Sequence, residues 1–489
     1  LGGGVIVKLL GLAPDSDPTI LGVLTNCANI VPSLKGMKGA PAPQSAGTTV
    51  FHATCQGAAV AMKLDNTTRF FAGSNSVISE LTDVNTWTSR GSGYGLSEDD
   101  RWRFAQFGDV SLAANKNNTI QASTTSAFAN VSGAPRAAII ETVGNFVFAF
   151  DTTEATYGDS PHRWWCSAIG THNSWVPSVS SQAATGILTS SPGPITAGRR
   201  FGDAIIVCKN QAMYRGDYVG TPAIWSFSQI PGEVGALCQE VVVNVGTPDS
   251  PRLIFMGPED FYTFDGSRPV TIGTNRIKIE VYGQLLRSKQ EQCIALHDKT
   301  NSNVYFFYPS SDSPNPDKCV VYNYRTNQWG RADQTIEAAV EYIVPGLTYA
   351  DIGTSYATYA DLPSAPYGSA FWSQGFPTPA IFNTAHSLMT LNGNTATSSI
   401  TTGDIGDDLK FLDLSRMKCR YITAPTSASM VNYYRNNIGD SLTTDATTSE
   451  TDDKFDVMRE ARWHRFRIDF VGPVELSGLI PEFVGGGLE

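Results

Sequence analysis

Phe107-Gly108-Asp109-Val110-Ser111-Leu112-Ala113-Ala114-Asn115-Lys116-Asn117 returns later in the chain as Phe201-Gly202-Asp203-Ala204-Ile205-Ile206-Val207-Cys208-Lys209-Asn210. Each stretch reads as a glycine turn, a short apolar strand and a polar turn leading to another strand. Looser copies surround Val143 to Phe150, Leu253 to Tyr262 and Asn303 to Tyr308. Turn centres fall irregularly, roughly 35 to 60 residues apart, the scale of a propeller blade of four short strands. A sheet that small cannot bury both faces without neighbours. The chain is therefore expected to be all-β, with an irregular β-propeller-like body of about five to seven blades and a β-rich distal tip or insertion.

Two segments sharpen this expectation. Glu259-Asp260-Phe261-Tyr262-Thr263-Phe264-Asp265-Gly266 is an aromatic strand running into an Asp-Gly turn. Val320 to Trp329 contains a strand, a polar Thr-Asn turn and an aromatic opening the next strand. Tyr322 and Trp329 resemble the aromatic pair of kelch-like blades, which packs across neighbouring sheets. Phe107, Phe201, Tyr262, Tyr322 and Trp329 are the expected blade-packing aromatics.

Outward from this body, residues 1–50 read as an N-terminal arm and first strand. The body is expected over 51–345, a connector and β-rich tip or insertion over 346–456, and closing strands over 457–489. Within the connector, Thr348-Tyr349-Ala350-Asp351-Ile352 recurs as Thr358-Tyr359-Ala360-Asp361-Leu362. Near the end, His464, Phe466, Ile468 and Phe470 share one face of an alternating strand, and Trp463, Arg465, Arg467 and Asp469 share the other. That strand is expected to close the body.

Composition narrows the function classes. There are 45 Gly and 27 Pro, and the formal net charge is −11 with no long run of Lys or Arg. That argues against a nucleic-acid tail or a membrane-binding patch, although an acidic wall can repel phosphates and let a duplex slide past. The eight cysteines are dispersed without CxxC or CxC spacing and are expected as free, buried thiols. No stretch approaches the ~18 to 20 apolar residues of a spanning helix, so no membrane anchor is expected.

Reactive constellations are sparse. Gly91-Ser92-Gly93-Tyr94-Gly95-Leu96 lacks the strand and helix that would aim amides at a pyrophosphate. The six histidines form no HExxH or close His/Cys set. His162 and His172, near Trp164, Trp165 and Trp175, read as an aromatic patch. Glu98-Asp99-Asp100 and Asp407-Asp408 supply carboxylates, but glycosidase chemistry needs two at a defined separation across one sugar bond. No G-x-S-x-G elbow occurs. No catalytic residue, cofactor or metal is expected. Arg101-Trp102-Arg103-Phe104 and Arg462 to Arg467 are the best basic-aromatic clusters, with outward arginines expected from alternation. Arg101, Arg103, Trp463, Arg465 and Arg467 are the candidates for a subunit interface or a channel.

Together these pieces resemble the tail nozzle proteins of short-tailed phages, also called packaged-DNA stabilisation proteins or tail accessory factors. The segments concerned are Cys27-Ala28-Asn29-Ile30-Val31-Pro32, Phe107 to Asp109 with Phe201 to Asp203, Tyr322 to Trp329, Tyr349 to Leu362, and Trp463 to Phe470. The Ser/Thr-rich stretch from Thr384 to Thr402 matches nothing in that pattern. The resemblance implies a non-enzymatic ring, a hexamer in that family, lying below the portal and adaptor proteins of a virion tail after assembly in the host cytoplasm. It also implies partners: the portal-adaptor protein, a tail needle, fibre or tailspike, and non-specific packaged double-stranded DNA. A peripheral fibre-adaptor or receptor-binding protein is the first alternative, and a polysaccharide hydrolase the second.

Overall fold

The computed structural model describes residues 6–65, 67–82, 85–343, 358 and 377–485. The doubled Tyr-Ala-Asp segment lies outside them. The fold is all-β, a β-propeller-like body with further β-rich structure, and its one α-helix among the described residues is Lys278–Gln284.

Local turn chemistry builds the body. Phe107 pairs with Val110, Val143 with Phe146 and Phe201 with Ala204, each pair closing a two-residue hairpin. The first turn residue is Gly108 (φ +56), Gly144 (φ +54) or Gly202 (φ +63). A side chain there would meet the steric penalty of left-handed backbone, whereas glycine accepts it and keeps the strands' natural twist.

Pairing extends these hairpins into antiparallel four-stranded units over 58–92, 103–130, 136–187, 195–229, 242–271 and 294–331. A seventh is made of Ile336–Ile343, Pro377–Asn383, Leu388–Gly393 and, from the other end of the chain, Ala42–Ser45. Four of the seven stand as separate four-stranded sheets, and the other three join larger sheets at an edge. Each innermost strand packs against the next, and Ile336–Ile343 returns to Ala58–Met62, closing the ring.

The closing strand is a correction to the sequence expectation. Ala42-Pro43-Gln44-Ser45 supplies the seventh unit's outer edge, with Pro43 opposite Leu391. Proline has no N–H to donate and is tolerated at an edge. Trp463–Val471 instead pairs with Thr397–Thr402 and Ser427–Arg435.

That strand belongs to a β-sandwich. One sheet contains Val23–Ala28, Thr397–Thr402, Trp463–Val471 and Ser427–Arg435; the facing strands are Gly36–Gly39, Glu475–Gly485, Leu412–Thr423 and Lys454–Ala461. Ile400, Met430, Phe466, Ile468 and Phe470 meet Met37, Leu414, Met417, Phe455 and Leu476 in one buried core. His464 packs on Phe483 at 5.7 Å, and Tyr421 on Phe470 at 6.4 Å. The Ser/Thr-rich stretch therefore supplies a central strand, with Ser398, Ile400 and Thr402 buried on alternate positions. Pairing runs across the boundaries expected at 50, 345 and 456, because strands 377–393 belong to the propeller and the N-terminal arm serves both bodies.

All eight cysteines are buried and unpaired. Burial pushes the Cys27, Cys55, Cys166, Cys208, Cys293 and Cys419 thiols up to about 12, so thiolate is scarce at neutral pH.

Candidate functional site

Arg101 and Arg103 lie inside the propeller, lining a chamber of about 220 Å³ together with residues of the innermost strands. The expectation that both point outward is thus corrected. Polar residues lining the propeller interior alternate with apolar ones just as solvent-facing residues do. Arg103 donates to Glu240 from Nε at 2.7 Å and Nη2 at 3.1 Å, and to the Ala138 carbonyl at 2.8 Å. Burial alone would lower the Arg103 pKa, but Glu240 outweighs it and raises the pKa. Burial likewise opposes the Glu240 charge, and Arg103 holds that carboxyl below its ordinary range.

Arg101 is only 7% exposed, and its Nη1 lies 3.4 Å from the Glu337 carbonyl. Its Nε is enclosed without a partner, and burial lowers its pKa. Two further charged groups, Arg199 and Glu337, line the chamber. Arg199 donates to the carbonyls of Val242 and Gln239, each at 3.1 Å, and sits 3.6 Å from Glu141. Glu337 accepts from the Cys55 amide at 2.9 Å and lies 2.7 Å from His386 Nδ1. Burial raises the carboxyls of Glu337 and Glu141. The Glu337 contacts tie the seventh unit to the segment entering the first, so this carboxyl helps seal the ring.

The C-terminal candidates separate into inward and outward groups. Trp463 is buried and donates from Nε1 to Asp408 at 3.0 Å. Arg465 donates from Nε and Nη2 to Asp404, each at 3.0 Å, and Arg435 Nη2 reaches the same carboxylate at 2.5 Å. The Asp404 side chain is fully enclosed. Arg465 thereby secures the sandwich, while Arg467, half exposed and 3.1 Å from Asp469, remains accessible.

The aromatic candidates pack as follows. Tyr322 and Trp329 are direct cross-strand partners with ring centroids 4.6 Å apart. Trp329 also meets Phe261 of the preceding unit at 5.0 Å and donates to the Ile272 carbonyl at 3.1 Å. Phe201 meets Phe264 at 5.3 Å, bridging two units, and Tyr262 stacks on Phe255 at 5.5 Å within one. Phe107 is half-buried near His172, 6.5 Å away.

Sequence reasoning missed the partners Glu240, Glu337 and Asp404, which come from distant segments and carry no local signature. It also missed a groove of about 1030 Å³ where the hairpin turns of three units converge, with Gly144, Asp203 and Asp265 from the turns and Asp217 from the strand Met213–Gly220. The repeated Phe-Gly-Asp turn was the available signal. Among the described residues, no group of three or more His, Cys, Asp or Glu side chains could hold a metal ion.

No protein-family model matches the chain, and no curated protein matches it. Similar solved structures include a chain of a mitotic checkpoint complex, with 9% identity and TM-score 0.39, covering 71% of this chain and 92% of that one. YCF48 bound to D1 peptide has 12% identity and TM-score 0.37, covering 74% and 97%. Apo AztD from Citrobacter koseri has 11% identity and TM-score 0.35, covering 57% and 74%. These likenesses carry no argument about what this chain binds or does.

Proposed function

We propose that the chain is a non-enzymatic structural subunit of a short-tailed phage tail, forming a nozzle ring that continues the DNA channel, retains the packaged genome and supports other tail proteins. The observation that carries this reading is the position of the nozzle-like segment Cys27 to Pro32. Asn29 (φ +51) turns the chain from Val23–Ala28 in one sandwich sheet to Ile30–Ser33 in the other. Ile30 pairs with Arg331 at the edge of the sixth propeller unit. The segment thus couples propeller to sandwich through backbone bonds, and the arm goes on to close the ring at Ala42–Ser45. Such interlocking suits a part that bears pressure from packaged DNA, since separating the bodies requires breaking a ladder as well as apolar contacts.

The charge supports the same reading. Six copies at −11 each carry a formal −66. Salt screens charge over ~8 to 10 Å, so carboxylates lining the lumen act on the duplex only at short range, weakening phosphate adhesion during ejection. Arg467, on the accessible face of its strand, is available to a neighbouring subunit or to DNA.

The test is cryo-electron microscopy of the full chain mixed with its portal-adaptor complex. A closed axial ring around the DNA path is the expected result. A monomer, or attachment at the periphery, would overturn the nozzle assignment and favour a fibre adaptor or receptor-binding protein.

A further inference from the structure

The groove where the third, fourth and fifth units meet is built from two unlike seams. Between the third and fourth units, Phe146, Tyr218 and Trp225 form an aromatic triangle with ring centroids 5.4 to 5.7 Å apart. Phe146 and Trp225 are buried, but Tyr218 is 45% exposed, and Ile169, which also lines the groove, is 41% exposed. The Tyr218 hydroxyl donates to Gln182 Oε1 at 2.6 Å, so the ring is held by its tip as well as by its neighbours. A platform fixed in advance costs little ordering entropy when a partner lies on it.

Between the fourth and fifth units the lining is acidic. A side chain at Gly202 would touch the Pro248 carbonyl and Pro251, and one at Gly266 would press on the Phe201 ring, so two glycine turns and the 248–251 loop pack together. That packing gathers Asp203, Asp249 and Asp265 on the groove wall, all three exposed. Asp265 accepts from the Ser267 hydroxyl and amide, which hold its carboxyl below the ordinary range and keep it charged at neutral pH. Asp203 and Asp249 have no hydrogen-bond or ion-pair partner among the described residues. Arg215, the one cationic side chain among those lining the groove, is held by Asp217 at 2.9 and 3.0 Å.

These features select the chemistry of an occupant. Covering the carboxylates with neutral groups strips their hydration without return, whereas a cation offsets the loss. A neutral saccharide engages the aromatic seam alone, and DNA phosphates are repelled. A guanidinium suits both seams, flat on the Tyr218 ring or forked to a carboxylate. At about 1030 Å³ the groove stands at the upper limit of the ~300 to 1,000 Å³ of small-ligand pockets, so it takes a run of residues.

We propose that this groove docks an extended, arginine-containing segment of a partner protein, with one side chain on Tyr218 and cationic ones meeting Asp203, Asp249 and Asp265. The site lies within one chain and does not rest on the nozzle assignment.

Fluorescence anisotropy of a labelled peptide of alternating arginine and leucine, titrated with the full chain, tests this. One saturable site per chain is expected, with a glutamate-leucine peptide binding at least tenfold more weakly. Asp203→Asn with Asp249→Asn, isosteric changes at exposed positions, should weaken binding about tenfold at low salt. Tyr218→Ala should weaken it at least threefold. Asp452→Asn with Asp453→Asn removes the same charge from an exposed turn of the sandwich and should leave binding unchanged. No saturable binding, or equal losses from the two asparagine pairs, would overturn the site, and an unaffected Tyr218→Ala would overturn the platform. Spermidine competing as well as the peptide would assign the groove to a small polyamine and overturn the protein partner. So would sedimentation showing a dimer of the chain alone that Asp203→Asn with Asp249→Asn dissolves, since the occupant would then be a second copy.

Discussion

Replacing Asp404 by alanine removes a carboxylate that two guanidiniums share inside the sandwich. Arg465 holds it with two bonds of 3.0 Å and Arg435 with one of 2.5 Å, and the carboxylate is wholly enclosed. Breaking a buried ion pair from one side costs about 3 to 5 kcal/mol. The Arg435 and Arg465 side chains keep 12% and 21% exposure and recover some hydration, so Asp404→Ala should fall near the lower end, about 3 kcal/mol. Arg465→Ala leaves Arg435 in place and should cost less, about 1.5 to 3 kcal/mol. In the double variant the second change should add little. Arg467 sits half exposed two residues away, and Arg467→Ala should cost under about 0.5 kcal/mol. Native-state hydrogen exchange of Trp463–Val471 and Thr397–Thr402 reads the local opening free energy without requiring the whole chain to unfold in one step. If the single effects simply add to within about 0.5 kcal/mol, the shared-carboxylate reasoning is wrong. It also fails if Arg467→Ala costs as much as Arg465→Ala.

Trp329→Ala, which empties a fully buried site packed against two units, should destabilise by about 3 to 5 kcal/mol and raise exchange in both the fifth and sixth units; a loss under about 1 kcal/mol would refute its bridging role. Burial, helped by Lys299, depresses His297 from 6.5 to about 4. The folded state therefore prefers the neutral ring: its contribution is complete above the unfolded pKa and is lost as pH falls from about 6.5 towards 4, roughly 3 kcal/mol in all. His297→Gln should flatten that part of the stability-versus-pH curve, and an unchanged slope would count against it. Ser45→Cys with Met389→Cys, placed on directly opposed residues, should cross-link on mild oxidation and stabilise the closed ring by about 3 to 5 kcal/mol. The native thiols, buried and held protonated, compete poorly, so failure to cross-link would refute the closure by Ala42–Ser45.

Wherever the determining forces act over a few residues, the fold was legible in the chain. Gly108 and Gly202 mark hairpins because left-handed backbone selects glycine locally, and the Tyr322 to Trp329 segment announces its own strand pair. Alternation placed His464, Phe466, Ile468 and Phe470 on one face of their strand, and all four are buried. The same alternation misread Arg101 and Arg103, since the polar lining of the propeller interior and bulk solvent impose the same pattern on a strand.

What the sequence by itself determined, then, is the all-β class and the blade-sized repeat, because turn geometry and side-chain alternation are properties of neighbouring residues. Only the tertiary structure decided which edge closes the propeller, for Gln44 and Thr390 meet in register across 346 residues, and the ladder that pairs their strands could form between any two strands. It alone decided that Arg465 serves Asp404 across 61 residues, and that Arg101 lies enclosed while Arg467 faces out. Such pairings depend on which surfaces the packed sheets bring together, and any arginine can match any carboxylate until the fold chooses.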